Sequence, residues 1–237
     1  MSNFGVDITQ ENLRRPTISL KVLYEGMPAT SGCENCHEHF GEDAIWCCRT
    51  INPSMYYVEF LKVWQEVQKW PKHQKRDLMV RAIINYLDTS PQKGCVFWSE
   101  KCLVYENRPF ACRMYGVIPQ ESWDKRVASL REREGEDFPI RPQCDKVVSE
   151  KPITEEDENK WFEHTRKCEV MLGVDKQCID LHDIPGGSYR TFHDHLLLEI
   201  LEPQALNRLT EVKLSKPSRE DIESFAEVLT GVLEAQL

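Results

Sequence analysis

"GCVFWSEKCLVYENRPFACRMYG", residues 94 to 116, is dense in thiols and has no helical period. Cys95, Cys102 and Cys112 lie among Gly94, Asn107, Pro109 and Gly116, residues that interrupt helices, so the backbone here reads as irregular. Arg108-Pro109 pre-sets the chain just ahead of Cys112, because proline fixes its own φ and pushes the preceding residue to extended conformations. Irregular backbone that must keep its shape around several thiols is what a ligand site looks like in sequence.

The same theme recurs upstream, in "GCENC" at 32 to 36 and "WCCR" at 46 to 49. The chain has ten cysteines: Cys33, Cys36, Cys47, Cys48, Cys95, Cys102, Cys112, Cys144, Cys168 and Cys178. The opening "MSNFGVDITQENLRRP" carries acids and amides where a signal peptide needs an apolar stretch, and no run of about 18 apolar residues occurs. The expectation is therefore a cytoplasmic protein without a membrane span, whose thiols stay reduced. In that compartment clustered cysteines point to metal or redox chemistry before disulfides.

Cys33 and Cys36, two residues apart, can reach one ion through a tight turn. Cys47 and Cys48 are adjacent, and in extended backbone neighbouring side chains point to opposite sides. Either the chain bends sharply there, or one thiol ligates while the other is core, or the two serve different centres. The split arrangement is the preferred reading. It gives a primary centre of Cys48 or Cys47 with Cys95, Cys102 and Cys112, and a second site of Cys33, Cys36 and Cys144. Four thiolates around zinc or an oxidised four-iron cluster leave a charge near about −2, which is costly to bury. Arg108 and Arg113 are placed to donate to sulfur or offset that charge. Cys168 falls on the apolar face of a helix and reads, with Cys178, as a small core hydrophobe.

The three cysteine segments resemble the signatures of the cysteine-cluster family known as YkgJ-like or CxxCxxCC, a zinc- or iron-chelating domain. On that pattern Cys33, Cys36, Cys47 and Cys48 correspond to the opening group. Cys95, Cys102, Tyr105, Arg108, Pro109, Cys112, Arg113 and Tyr115 correspond to the later segment, and Cys144 to a trailing cysteine. The resemblance covers about residues 30 to 148 and implies chelation. This chain differs in carrying ten residues, His37 to Trp46, between Cys36 and the cysteine pair. That insertion adds His37 and His39, which read as surface histidines, and leaves open whether Cys33 and Cys36 share a centre with the pair.

Zinc and iron–sulfur clusters both accept four cysteines. Intervals of six, nine and 31 residues after Cys95 fit neither a compact zinc ribbon nor a ferredoxin run. Phe97, Trp98, Tyr105, Phe110 and Tyr115 would shield a cluster or pack around zinc equally well. The sequence reading favours an iron–sulfur cluster of the [4Fe-4S] type, with mononuclear iron or zinc as the alternative.

The formal charge of −9 argues against a general nucleic-acid surface, and the basic run "KWPKHQKR" at 69 to 76 reads as a solvated helix corner. No phosphate loop, zinc-protease motif, nucleophile elbow or dinucleotide fingerprint occurs. "CIDLHD" at 178 to 183 and "FHDHLLLEI" from 192 bring His182, Asp183, His193, Asp194 and His195 near one another in sequence. However, His193 and His195 cannot share a helix face.

Periodicity gives a mainly α-helical protein: an irregular cysteine-rich metal-binding core packed with helices, plus C-terminal helices. Helices are expected over Thr17–Tyr24, after Asn52-Pro53 to Pro71, across "HQKRDLMVRAIINYLD", over Ser122–Glu134, from Thr154, over Ser188–Leu201, over Pro203–Leu214 and from Ser218. In the last, Ile222, Phe225, Val228, Leu229, Val232 and Leu233 form the expected core stripe. The domain reading is a cysteine-cluster unit over 28 to 148 and a helical region over 154 to 237, the latter a cap or a surface for a protein partner. The functional expectation is metal binding in electron transfer, metal handling or redox sensing. The alternatives are a zinc-stabilised partner-binding module, or an iron–sulfur-dependent enzyme with a substrate pocket near the histidines.

Overall fold

The computed structural model describes residues 4, 9–34, 36, 38, 46–90, 94–136, 140, 143–181 and 187–233. Helices dominate these residues. In chain order they are α1 (Gln10–Gly26), α2 (Trp46–Thr50), α3 (Tyr57–Val67), α4 (Lys72–Leu87), α5 (Phe110–Met114), α6 (Gln120–Glu134), α7 (Glu155–Leu172), α8 (Lys176–Asp180), α9 (Phe192–Ile200), α10 (Pro203–Leu214) and α11 (Arg219–Leu233). A 3-10 turn spans Tyr105–Asn107.

Helix α3 is the hub. Tyr57, Val58, Glu59, Phe60, Leu61, Val63 and Val67 are all buried, so it is enclosed on more than the one stripe an amphipathic surface helix would hide. Helix α1 packs on α7 and α3, while α4 packs on α9, α10 and α11. One buried cluster runs through all of them, from Leu13 to Leu233, and includes Phe97 and Phe110 of the cysteine-rich stretch. Phe97 meets Phe192 of α9 edge-on at 4.4 Å between ring centroids, which anchors the loop after Cys95 in the core.

Local signals set several helix ends. Thr154 caps α7 by accepting from the Asp157 amide, and the Asp157 carboxylate accepts from the Thr154 amide in return. Pro203 starts α10, and Gly173 ends α7 in the left-handed conformation that glycine adopts without strain. Pro71 separates α3 from α4.

Other expectations are corrected. Helix α1 begins at Gln10, well before Thr17, with Pro16 inside it and Thr9 as its cap. The helix expected from Asn52-Pro53 starts later, because Ser54–Tyr56 is strand β2, paired antiparallel with β6 (Tyr189–Thr191). That pairing also removes the first residues from the helix expected at Ser188. In α11 the buried residues are Ile222, Ala226, Thr230 and Leu233, whereas Val228 and Val232 are 67% and 71% exposed. The helix lies on α4 along a narrower row than the apolar residues suggest.

Two further ladders frame the cysteines. Strand β1 (Thr30–Ser31) pairs with β5 (Val148–Ser149), and β3 (Trp98–Ser99) pairs with β4 (Lys101–Cys102), all antiparallel. Among the described residues no helix is long and apolar enough to cross a membrane.

Candidate metal centre

Two backbone links bring separated cysteine segments together, and a third shapes one of those segments. The first is the β1–β5 ladder, with Thr30 opposite Ser149 and Ser31 opposite Val148. It carries the 33–36 segment to the 144–147 segment. Gly32 sits at φ +91 with the Lys146 carbonyl where a Cβ would be, only 2.1 Å away, so the approach requires glycine twice over. Gly116, at φ +87, packs the end of the 94–116 stretch on Cys144, whose own Cβ is 3.0 Å from an added one.

The second link ties the cysteine pair to the loop. The Cys95 amide donates to the Cys48 carbonyl at 2.7 Å, with Gly94 against the carbonyls of Arg49 and Cys48. The third is the β3–β4 hairpin, which places Trp98 opposite Cys102 and hydrogen-bonds Trp98 back to the Cys95 carbonyl. Helix α4 supports this loop from outside. Asn85 donates to the Gly94 carbonyl at 2.7 Å, and Arg81, one turn earlier, donates to the Trp98 carbonyl at 3.0 Å.

The eight cysteines from Cys33 to Cys144 consequently form a continuous set, each within electrostatic reach of others in it. Burial pushes the Cys33 thiol up, and Cys47 and Cys144 add to it. Burial, then Cys47, Cys144 and Cys33, push Cys36 up to about 11. Burial and Cys102 push Cys95 up to about 12. Cys102 is raised by burial and by Cys33 and Cys47, and Cys112 well above the thiol range by burial, Cys95 and Cys102. The Cys48 S–H donates to the Cys47 sulfur. That lowers Cys47 to about 7 and raises Cys48 strongly, with Cys95 and Cys112 adding to the rise. Cys33, Cys36, Cys48, Cys95, Cys102 and Cys112 thus resist ionisation until positive charge is brought among the sulfurs.

The cysteine pair lies on the helical turn α2, not on extended backbone, so its side chains diverge by about 100° rather than opposing each other. Cys33, Cys47, Cys48, Cys95, Cys102, Cys112, Cys144, Cys168 and Cys178 are free thiols. Cys168 is fully buried in the core and Cys178 packs half-buried against it. Among the described residues no group of three or more His, Cys, Asp or Glu side chains is arranged to hold a metal ion. The thiols share a neighbourhood without forming a finished coordination sphere.

Of the two arginines, Arg108 faces the sulfurs. It is 8% exposed, lies 4.1 Å over the Tyr105 ring, donates to Thr30 Oγ1 at 3.2 Å, and eases the ionisation of Cys33, Cys102 and Cys112. Its Nε is buried with no hydrogen-bond partner. Arg113 does something else: it donates to the carbonyls of Arg108 and Glu106 at 3.0 and 2.6 Å and lies over the Tyr24 ring, fixing the turn that holds Arg108. Tyr105 lies beside Cys33, and burial raises its phenol.

Sequence reasoning missed several neighbours. Arg81 eases the ionisation of Cys95, and Lys146 feels Cys144 and Cys36, while Tyr115, which the sequence did single out, feels both Cys47 and Cys144. The largest omission is Glu59. Its buried carboxylate accepts from the Phe110 amide at 2.6 Å, the Tyr56 amide at 3.0 Å and the Tyr24 hydroxyl. It thereby binds the first turn of α5, which carries Cys112, to α1 and α3.

The histidines lie elsewhere. His182 and Asp183, like His37, His39 and Arg141-Pro142, fall outside the described residues. His195 is buried, its Nε2 bonded to the Met55 carbonyl at 3.0 Å, and burial lowers it to about 4. His193 Nδ1 accepts from Asn52 at 2.5 Å, and the Asp194 carboxylate accepts from the Thr191 hydroxyl. These are interior contacts at the start of α9. In the basic run, Lys69 pairs with Glu66 and Arg76 with Glu227, both at 2.7 Å.

No family model, curated protein or solved structure matches this chain.

Proposed function

We propose that this protein binds metal through the cysteines between Cys33 and Cys144, and that the bound group is a thiolate-ligated iron–sulfur cluster. One observation carries the reading: two backbone links between segments, with a hairpin inside one of them, bring eight thiols from four distant segments into one electrostatic neighbourhood. Free cysteine is a good core residue, but core packing gives no reason to place Arg108, buried and with Nε unpartnered, among them. A cluster with four thiolates carries net negative charge, which Arg108, Arg81 and Lys146 would offset. Phe110, and Phe97 after Cys95, would exclude water. The motif resemblance adds chelation as the expected chemistry. The roles that follow are electron transfer, metal handling or redox sensing in the cytoplasm.

Anaerobic purification followed by iron, zinc and acid-labile sulfide assays tests the proposal. Broad absorption near about 400 nm with iron and sulfide supports a cluster. Colourless protein with tightly held zinc selects the zinc-stabilised module instead. For the partner-docking role of the C-terminal helices, the supporting observation is the exposed row Phe225, Val228 and Val232 on α11.

A further inference from the structure

We propose that Lys62 is a site of covalent acylation, its side-chain amine taking an acyl group from a thioester donor. The inference stands apart from metal binding, and its test needs no metal.

The surroundings of Lys62 are unusual for a lysine. It is half-buried on α3, and its Nζ donates to Asn107 Oδ1 at 2.8 Å, a neutral acceptor at the end of the 3-10 turn. A second cation shares the space. Lys62 Nζ lies 5.2 Å and Arg113 Cζ 4.3 Å from the centroid of the same Tyr24 ring. Arg113 spends its hydrogen bonds on the carbonyls of Arg108 and Glu106. Among the described residues neither cation has a carboxylate at ion-pairing distance.

A half-buried ammonium beside another cation is destabilised relative to its neutral amine, and that is how a lysine becomes a nucleophile near neutral pH. The titratable groups facing it are Tyr24 on α1, Glu59 and Glu66 on α3, Glu106 on the turn and Arg113 on α5. Burial first, then Arg113, lower the amine to about 8, against the opposing pull of Glu59, Glu106 and Glu66. A neutral amide suits the place better than the ammonium. It brings no charge to bury or to set against Arg113, and its N–H can still donate to Asn107.

In the step itself the amine nitrogen attacks the thioester carbonyl. The N–C bond forms as the C–S bond breaks, and the sulfur leaves with the electron pair and takes up the proton that nitrogen sheds. The products are an amide and a free thiol. Acylation also turns a charge-assisted bond to Asn107 into a neutral one of about half the strength. Asn107 directly precedes Arg108, so the modification loosens the tie between α3 and the turn that leads to that guanidinium.

The full chain, folded or unfolded in urea, is incubated with acetyl coenzyme A between about pH 7 and 10, and acetylated lysines are mapped by peptide mass spectrometry. In folded protein near pH 7.5, Lys62 should react about tenfold faster than the exposed Lys160 and Lys176, a far larger neutral fraction outweighing lower basicity and access. Its rate should level off above a pH of about 8, well before an ordinary lysine amine does at about 10.4. In urea the advantage should vanish. Arg113→Gln, where circular dichroism shows it native, should slow Lys62 several-fold at the same pH. A Lys62 rate no higher than those of Lys160 and Lys176 overturns the proposal. So does an advantage that survives in urea, or a rate unchanged in folded Arg113→Gln. If that variant does not fold, the comparison of folded with urea-unfolded wild-type chain decides alone.

Discussion

Replacing Glu59 by glutamine alters one atom and tests how α5 is held. Oε1 accepts from Phe110 N–H and the Tyr24 hydroxyl, while Oε2 accepts from Tyr56 N–H at 3.0 Å. Glutamine keeps the first acceptor and puts an amide NH₂ where Oε2 stood, donor against donor. One charge-assisted bond is lost and a buried amide is orphaned, together about 2–3 kcal/mol. For a domain of this length that is a fall in Tm of about 5–10 °C. Tyr24→Phe removes one donor but leaves Oε1 bonded to Phe110, so its loss should be about 1 kcal/mol. Combined with Glu59→Gln, the two should be non-additive, since they share a partner. Thermal unfolding by circular dichroism on the four proteins of the cycle measures all of this. Burial pushes the Glu59 carboxyl up. If it were a neutral acid at the assay pH, glutamine would mimic it, and an unchanged Tm would refute the claim that an ionised carboxylate ties α1, α3 and α5 together.

Three further outcomes are expected. Burial lifts Glu169 to about 8, so folded protein binds a proton that unfolded protein has released above the ordinary carboxylate range. Stability should therefore fall as pH rises from about 4.5 to 8, by a few kcal/mol from this group, and Glu169→Gln should remove that share of the slope in urea titrations. His195, lowered to about 4, acts in the opposite sense: its contribution is lost as pH falls from about 6.5 to 4, and the loss should stand out once Glu169 is replaced. Gly32→Ala and Gly173→Ala both place alanine at positive φ, but only the first meets a backbone oxygen, at 2.1 Å, whereas nothing lies within 4 Å of the second. Gly173→Ala should cost about 1–2 kcal/mol and Gly32→Ala clearly more, with metal lost only in the latter; equal losses would contradict the close approach to Lys146.

What was legible in the sequence was mostly local. Thr154, Pro203 and Ser218 announced their helices because caps and prolines act within one turn. The cysteine segments stood out because thiols in polar, proline- and glycine-marked sequence have no ordinary core use. The ladders could not be read, since each spans two or three residues and shows no alternation, yet β1–β5 decides which cysteines meet. Glu59 gave no sign either. It is one acid on an amphipathic helix, and its role depends on Tyr24 and Phe110, which only tertiary packing brings near. Arg113 carried the same charge as Arg108 but reaches backbone carbonyls instead of sulfur, a difference set by the turn between them.

Metal and sulfide content of the full chain, isolated without oxygen, bears most directly on the idea that these scattered sulfurs exist to grip inorganic ions. Near-stoichiometric iron with matching labile sulfide, lost on serine replacement of the cluster thiols, is the outcome expected. Well-folded protein containing neither iron nor zinc would contradict it and leave the eight sulfurs as an ordinary feature of the interior.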